Sequence, residues 1–177
     1  MKNISVLLFL LITLALNAQN NKTSGLNARQ FHKYWKVESE SPDYKVTFLG
    51  DTVEILSPKG LTLWRKEKMS GKVTIEYDAC VVVEVEGDRL SDLNCFWMAS
   101  DPQYPDNIWK REKWRSGIFL NCYSLQLYYM GYGGNHNSTT RFRRYDGNEA
   151  AITNAKARPA ILKEYTDADH LLEANKW

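Results

Sequence analysis

Residues 72–86 alternate between apolar and polar side chains, and this alternation limits what the chain can fold into more than any other feature. The odd-numbered residues form the apolar set, which is Val73, Ile75, Tyr77, Ala79, Val81, Val83 and Val85. Apart from Cys80 and Val82, the even-numbered residues are charged or carry a hydroxyl. Successive side chains of a strand point to opposite faces, so the pattern predicts a long strand of an antiparallel sheet with one dry face. Glu76 and Asp78 would then lie side by side on the polar face.

Turn-forming residues divide the remaining sequence into further strands. Apolar runs bounded by Gly, Pro, Asn, Asp or Ser predict strands at residues 44–49, 52–56, 61–65, 90–100, 117–132 and 138–145. Only residues 150–157 are compatible with a helix, and it would be short. Many strands at this spacing are typical of a sandwich or a barrel. We therefore predict a single all-β domain, an antiparallel two-sheet sandwich, over residues 30–177.

The N-terminus has the features of an export signal. Lys2 supplies a positive charge, residues 4–16 are almost wholly apolar, and Ala18 is a small residue at the break. The apolar run is shorter than the ~20 residues that a membrane-spanning helix needs, and a retained anchor or a buried helix is the alternative. We predict a signal peptide at residues 1–18, a flexible polar lead-in at residues 19–29, and a location in the periplasm or outside the cell.

Charge and composition exclude several classes of protein. The chain carries 23 basic and 21 acidic side chains, for a net charge of +2, whereas nucleic-acid and polybasic membrane binders need a clustered excess of cations. A hydrophobic content of 44% excludes a disordered chain. We expect a monomer with no nucleic-acid partner and no membrane anchor.

Three cysteines, Cys80, Cys95 and Cys122, cannot form a complete set of disulfides. All of them lie in apolar runs, where a free thiol packs as a small hydrophobic group. One disulfide between two strands is the alternative. No pair of cysteines has the spacing of zinc ligands, so we expect no metal and no cofactor.

Aromatic residues are more numerous than one core of this size needs, with 6 Trp, 10 Tyr and 6 Phe. Flat aromatic faces suit the C–H faces of sugar rings. Trp109 and Trp114 alternate with cations in residues 108–115 (IWKREKWR), which fits a saccharide or anionic ligand, with simple packing of the loop as the alternative. Tyr128 is a further candidate for sugar contact, with core packing as the alternative.

Residues 131–145 (GYGGNHNSTTRFRRY) combine glycines, amides and cations in one predicted hairpin. The glycines allow a ligand to approach closely, although the spacing of a phosphate-binding loop is missing. His136 lies at the expected tip, where it can serve as acid or base or remain a solvated turn residue. Asn135 beside it is a candidate for binding sugar hydroxyls.

Arg141 and Arg143 share one face of the strand that follows this tip and lie roughly 7 Å apart. Two guanidinium groups on one face can hold a carboxylate or a sulfate through paired hydrogen bonds. The alternative is a solvated basic face that pairs with Glu76, Asp78 and Glu84 across strands. Phe142 points the other way, where it can anchor the strand in the core.

Two further pairs of polar side chains are candidates. Asp92 and Asn94 point the same way from a strand and can bind sugar hydroxyls or position a water, or else satisfy a buried turn. Glu76 and Asp78 lie ~7 Å apart at their Cα atoms, and glycosidases act through carboxyl groups at comparable separations. Any polar strand face offers this spacing.

These motifs resemble a family of exported bacterial proteins that is largely catalogued as a domain of unknown function. The resemblance is carried by residues 91–102 (SDLNCFWMASDP), residues 115–119 (RSGIF) and, most specifically, the hairpin at residues 131–145. The family is similar to the concanavalin A-like lectin and glucanase jelly rolls associated with polysaccharide breakdown, especially in Bacteroidetes. The resemblance covers residues 31–177 and implies a two-sheet jelly roll whose concave face binds a glycan. It supplies no settled catalytic residues.

The last residues, 169–177, resemble the lead-in to a strand more than its end. Members of the family just described continue past this point. We therefore expect further strands beyond Trp177.

The predicted function is the engagement of an acidic plant or algal polysaccharide, with catalysis by a lyase or a hydrolase as one possibility. In a polysaccharide lyase, Arg141 or Arg143 would neutralise the uronate carboxylate. His136 or Tyr132 would then remove the α-proton or protonate the leaving oxygen.

In a glycoside hydrolase, Glu76 together with Asp78 or Asp92 would share the acid and base roles. A non-catalytic, lectin-like module is the alternative and needs only the aromatic residues and the polar face. A structural or partner-binding domain is the second alternative, and an exposed flat apolar patch would favour it.

Overall fold

The computed structural model describes residues 28–50 and 52–177 of the chain. The predicted signal peptide at residues 1–18 and most of the predicted lead-in lie outside the described residues. Among the helices that are described, none is long and apolar enough to cross a membrane.

Eight strands make up the sheets of the described residues. Strands β1 to β8 are, in order, Trp35–Ser39, Lys45–Leu49, Thr52–Leu56, Leu61–Arg65, Leu93–Ser100, Gln126–Gly133, Thr139–Asp146 and Ile161–Tyr165. β1 pairs with β4, β2 pairs with β3, and β5-β6-β7-β8 form a four-stranded sheet in that order, all antiparallel. This confirms the predicted all-β antiparallel fold class and is consistent with a sandwich, and the sheets of the described residues form no closed barrel.

The helices are short. The α-helical segments α1 to α4 are Ala28–Tyr34, Glu112–Arg115, Gly134–Asn137 and Ala150–Thr153. Short 3₁₀ segments occupy Ile108–Arg111, Phe119–Ser124, Ala155–Ala157 and Ala168–His170. The predicted short helix at residues 150–157 is confirmed as α4 and the 3₁₀ turn that follows it.

The core lies on one face of the four-stranded sheet. Every second residue of β6 is buried on this face, and the core residues are Trp64, Cys122, Tyr123, Leu125, Leu127, Tyr129, Tyr145 and Ala151. Trp64 of β4 stacks on Phe96 of β5 with ring centroids 5.9 Å apart. Because each large apolar side chain stabilises the fold by about 1.5–3 kcal/mol when buried, this contact holds the β1–β4 pair against the sheet.

The opposite face of the sheet carries a row of parallel aromatic rings. Trp97 of β5, Tyr128 of β6 and Phe142 of β7 stack with centroids 5.8–5.9 Å apart and interplanar angles of 2–19°. The faces of the rings pack on one another across the strands, which stabilises the sheet. Phe142 therefore lies on the face away from Arg141 and Arg143, as predicted, but this face is opposite the core, so the prediction that Phe142 anchors the strand in the core is wrong.

The predicted long strand at residues 72–86 is wrong. Val81 forms an isolated parallel bridge with Ala174, and the side-chain amide of Asn175 accepts from the Val83 N–H at 2.9 Å and donates to the Val83 carbonyl at 3.0 Å. Alternation produces a strand only where a neighbouring strand satisfies its backbone groups. No strand of the described chain pairs with residues 72–80.

Much of the predicted dry face of this segment is exposed, while Ala79, Val81 and Val83 are half-buried. Val73 and Ile75 are each 46% exposed, and Tyr77 is 57% exposed. Glu76 and Asp78 are exposed as well, and they do not share the face of a strand.

The predicted strand at residues 117–132 begins later than expected, at Gln126. Gly117 has a φ of +71°, and a Cβ atom on it would lie 2.6 Å from the carbonyl oxygen of Glu38 in β1. The chain therefore turns closely against β1 at this point and continues as a 3₁₀ turn. α1, β1 and β8 were not predicted from the sequence.

A buried ion pair joins β1 to this connection. Arg115 is completely buried and Glu38 is 5% exposed. The Arg115 guanidinium donates from Nη2 and Nε to the two carboxylate oxygens of Glu38, at 2.6 and 3.2 Å, and from Nη1 to the carbonyl of Ile108 at 2.8 Å. Because each charge is out of water, either one alone would be strongly unfavourable.

We expect Arg115→Ala to lower the free energy of unfolding by about 3–5 kcal/mol, because it leaves the Glu38 carboxylate buried and unpaired. The control is Lys176→Ala, which removes a pair with Glu173 whose side chains are 63% and 66% exposed. That change should cost less than about 1 kcal/mol. Chemical denaturation measures both, and equal losses would contradict the structural role of the pair.

The exposure of residues 72–86 predicts a small effect for Ile75→Asp, below about 1 kcal/mol in the free energy of unfolding, because the new carboxylate remains in water. Leu127→Asp is the matched comparison, since Leu127 is 3% exposed in the core and the charge would be buried without a partner. Thermal and denaturant unfolding of the two variants should rank them in this order. A severe loss for Ile75→Asp would show that the segment is covered.

Candidate functional site

A cavity of about 170 Å³ opens on the core face of the four-stranded sheet, next to the β6–β7 connection. Its wall combines aromatic, amide, carboxylate and guanidinium side chains. The lining residues are Asp92, Phe119, Tyr123, Tyr129, Gly131, Gly134, Asn135, Thr139, Arg141, Arg143, Tyr145 and Arg158.

Strand register places the polar part of this wall. Asn94 of β5, Gly131 of β6, Arg141 of β7 and Glu164 of β8 are direct partners in one row across the sheet. Arg143 lies two residues further along β7 and so points to the same face. The predicted sharing of one face by Arg141 and Arg143 follows from this register.

The two arginines of β7 have different partners. Arg141 donates from Nε to the Glu164 carboxylate, so its charge is compensated within the sheet. Arg143 donates from Nη1 to the carbonyl of Pro159 at 2.8 Å. No carboxylate of the described residues forms an ion pair with Arg143, so its charge faces the cavity uncompensated.

The cavity has a third arginine, Arg158, which the sequence patterns did not identify as a site residue. Arg158 follows the Ala155–Ala157 turn and lines the same cavity. Its guanidinium carbon lies 5.7 Å from the centroid of the Tyr123 ring, a cation–π contact with a buried aromatic face. Arg158 lies in irregular chain between two elements, so no periodic pattern in the sequence could assign it to this face.

Tyr129 forms the centre of the wall. Its hydroxyl donates to Asn94 Oδ1 at 3.1 Å, and its ring lies over Gly131, where a Cβ atom would stand 1.9 Å from the Tyr129 hydroxyl oxygen. The absence of a side chain at Gly131 therefore makes room for the ring. Burial raises the pKa of Tyr129, so its hydroxyl keeps its proton near neutral pH and acts as a donor.

Tyr145 contributes a second buried hydroxyl. The residue is 1% exposed, and its ring centroid lies 4.7 Å from that of Tyr123. Its hydroxyl oxygen has no partner with hydrogen-bond geometry in the described part of the chain. Burial raises the pKa of Tyr145, and the neighbouring Tyr123 raises it further, so the Tyr145 hydroxyl keeps its proton and can donate a hydrogen bond into the cavity.

Asp92 and Asn135 line the rim of the cavity. Both have left-handed backbone conformations, with φ angles of +66° and +53°. The Asp92 carboxylate accepts hydrogen bonds from Arg89 Nη2 and from the Ser91 hydroxyl, each at 2.9 Å. The Asn135 side chain donates to the Ser138 hydroxyl at 3.0 Å. Asn94, predicted to act beside Asp92, instead contributes by holding Tyr129.

The other residues predicted to transfer protons lie elsewhere. His136 is exposed in the α3 turn with a φ of +58° and does not line the cavity. The hydroxyl of Tyr132 donates to the Leu171 carbonyl at 2.9 Å. Glu76 and Asp78 lie on the exposed segment described above, so the structure does not bring these four residues to the cavity.

The aromatic residues predicted to bind sugar are also spread apart. Trp109 packs against the core beside the Lys36 ammonium, 5.4 Å from its ring centroid. Trp114 is 43% exposed beneath the guanidinium of Arg111, at 5.1 Å. Tyr128 belongs to the aromatic row on the opposite face of the sheet.

The cysteines are free thiols rather than a disulfide. Cys122 is buried, and burial raises the pKa of its thiol to about 12, which keeps it protonated. Cys80 and Cys95 are half-buried. Within residues 28–50 and 52–177, no group of three or more His, Cys, Asp or Glu side chains could hold a metal ion.

The fold and the cavity define an all-β protein whose main four-stranded sheet presents a pocket walled by arginines and tyrosines. Residues 55–177 match a family model described as a domain of unknown function, DUF6250. The chain belongs to this family, which confirms the predicted membership of a family of unknown function. No curated protein matches the sequence, and no solved structure matches it.

We expect Gly131→Ala to lower the free energy of unfolding by ~1–3 kcal/mol, because the new methyl group would occupy the space of the Tyr129 ring. Tyr129→Leu removes the clashing atoms, so the double variant should lose less than the sum of the two single losses, by more than ~0.5 kcal/mol. Denaturant unfolding of the three variants measures this coupling. Additive losses would show that the ring does not depend on Gly131.

Proposed function

We propose that this protein is exported and binds an acidic unit of a plant or algal polysaccharide in the cavity. The observation that supports this most directly is the pair formed by Arg143 and Arg158, which line one cavity without a carboxylate partner in the described chain. Export is proposed from the signal-like residues 1–18. The resemblance to lectin and glucanase jelly rolls supports a saccharide as the ligand.

The unpaired state of these two arginines contrasts with the rest of the protein. An ion pair with a carboxylate neutralises each of Arg65, Arg89, Arg111, Arg115 and Arg141. Of the remaining arginines with described side chains, Arg144 is exposed on the opposite face of the sheet. An anionic ligand would give Arg143 and Arg158 the partner that the chain itself does not supply.

The size and lining of the cavity fit part of one sugar unit. An engineered protein cavity of about 150 Å³ holds benzene, so 170 Å³ has room for a bare six-membered ring, and the further substituents of a sugar would extend through the opening. Phe119 and Tyr123 offer apolar ring surface to the C–H groups of a sugar. Asn135 and the buried hydroxyl of Tyr145 offer polar groups that can bind its oxygens.

Binding without catalysis is the version that the placement of residues favours. A glycosidase needs two carboxyl groups that flank the scissile bond, and of the predicted carboxylates only Asp92 lines the cavity. His136 and Tyr132, predicted to transfer protons in a lyase, do not line it. A lectin-like role requires none of them.

Protein contact is a second candidate function, favoured by the exposed apolar residues of the segment at residues 72–86. Exposed contiguous apolar surface is typical of an interaction site. A sedimentation-velocity series at rising concentration would support this function if the wild type self-associates and Ile75→Asp does not.

We expect Arg143→Gln to weaken binding of an acidic oligosaccharide by about 1.5–3 kcal/mol, more than tenfold, because it removes a charge-assisted contact. Titration calorimetry with oligogalacturonate, oligoalginate and a sulfated galactan measures the effect. Each is compared with its esterified or desulfated form, on which Arg143→Gln should have little effect.

Arg144→Gln is the matched control, since Arg144 is the next residue of β7 and points away from the cavity. It should leave the affinity for every oligosaccharide unchanged. Equal affinities of the wild type for the acidic and neutralised forms would overturn the proposed function. If the protein releases unsaturated products from a uronate polymer, which their absorbance would reveal, then it is a lyase and does more than bind.

A further inference from the structure

We propose that the acidic group held in this cavity is a tetrahedral oxyanion ester on a sugar, a sulfate half-ester or a phosphate monoester, clamped between Arg143 and Arg158. This inference rests on the proposed function and narrows its ligand. It also makes Arg158 the residue that distinguishes such an ester from a carboxylate.

The two guanidinium groups come from different elements and are fixed by one short stretch of chain. Arg143 belongs to β7, and it donates from Nη1 to the carbonyl of Pro159. Pro159 directly follows Arg158, whose guanidinium is held over the Tyr123 ring. The hydrogen bond to Pro159 thus ties the segment that carries Arg158 to the strand that carries Arg143.

The acidic side chains nearest to the cavity are already engaged. Glu164 pairs with Arg141, and Asp92 pairs with Arg89. The two carboxylates therefore offset Arg141 and Arg89, which leaves the positive charges of Arg143 and Arg158 facing the cavity. A ligand anion that contacts both would be attracted more strongly than one that contacts a single guanidinium.

The number and direction of the acceptor atoms favour a tetrahedral group. The two oxygens of a carboxylate hold their acceptor lone pairs in one plane, which one guanidinium fork matches in a bidentate pair, so a second guanidinium binds well only if it approaches in that same plane. An ester of sulfate or phosphate presents three free oxygens that diverge from the central atom, so guanidinium groups from two elements can each take one. Nη1 of Arg143 donates to the carbonyl of Pro159. The N–H groups of Nη2 and Nε are therefore left to bind an oxygen of the ester.

Tyr145 supplies a donor for the remaining oxygen. Its hydroxyl is buried next to Tyr123 and has no partner with full hydrogen-bond geometry in the described residues, and the residue lines the same cavity. A buried donor left unpaired is unfavourable. Three donor groups, two charged and one neutral, thus match the three free oxygens of the ester.

The test compares galactose, galacturonate, galactose 6-sulfate and galactose 6-phosphate, together with the corresponding glucose series, by titration calorimetry or ligand-observed NMR. We expect at least one of the two esters to bind about tenfold or more tightly than the uronate of the same series, and the tighter ester identifies the oxyanion. We expect Arg158→Gln to weaken binding of that ester by about tenfold or more, while it changes uronate binding by less than about threefold.

Two further variants complete the design. Arg158→Lys keeps the charge but loses the planar fork, so it should recover only part of the ester affinity. Arg144→Gln should have no effect, and thermal unfolding confirms that each variant is folded. Because Arg158 is exposed, its replacement should leave the unfolding midpoint nearly unchanged.

The outcomes separate this inference from the proposed function. Uronate binding as tight as that of the esters, or an equal loss for all acids in Arg158→Gln, would overturn the tetrahedral clamp and leave the binding of acidic sugars standing. No preference of the wild type for any acid over the neutral sugar would overturn both.

Discussion

The buried ion pair between Arg115 and Glu38 is the interaction on which the arrangement of the site depends. Glu38 lies in β1, and Arg115 lies in the connection that leads into the Phe119–Ser124 turn. Since neither charge is tolerable alone in the interior, the β1–β4 pair and the connection must take up their positions together. Trp64 of β4 stacks on the sheet, and its ring centroid lies 5.8 Å from the guanidinium carbon of Arg115. The turn fixed in this way supplies Phe119 and Tyr123 to the cavity wall.

The cavity exists because side chains of very different size follow one another on one face of β6. Leu127 and Tyr129 fill the space between the sheet and the 3₁₀ turn, whereas Gly131 leaves a gap into which the Tyr129 ring leans. Asn94 on the neighbouring strand holds the hydroxyl end of that ring. One missing side chain thus decides both the direction of a tyrosine and the shape of the pocket beside it.

The distribution of charge connects the fold to the proposed function. Ion pairs inside the protein compensate most of its arginines, including Arg141 through Glu164. Arg143 and Arg158 differ because the strand and the turn that carry them meet at a cavity rather than at a carboxylate. This difference supports an anionic ligand more directly than the number of arginines in the sequence does, since a paired arginine contributes little further attraction.

The sequence alone determined what depends on local geometry. Period-two alternation predicted that Arg141 and Arg143 share a face of β7 with Phe142 opposite, and turn residues predicted β2, β3 and β4 closely. Both signals act within a few residues of chain.

Tertiary structure decided everything that needs a distant partner. Residues 72–86 have the strongest alternation in the chain and form no strand, because no described strand pairs with residues 72–80. The arginines of the site also differ because of their distant partners. Glu164 neutralises Arg141, and the turn after α4 brings Arg158 to the cavity, and neither contact leaves a periodic signal in the sequence. Whether a segment forms a strand, and whether a charge is compensated, depends on the groups that lie beside it in space. The order of residues along the chain does not specify those neighbours.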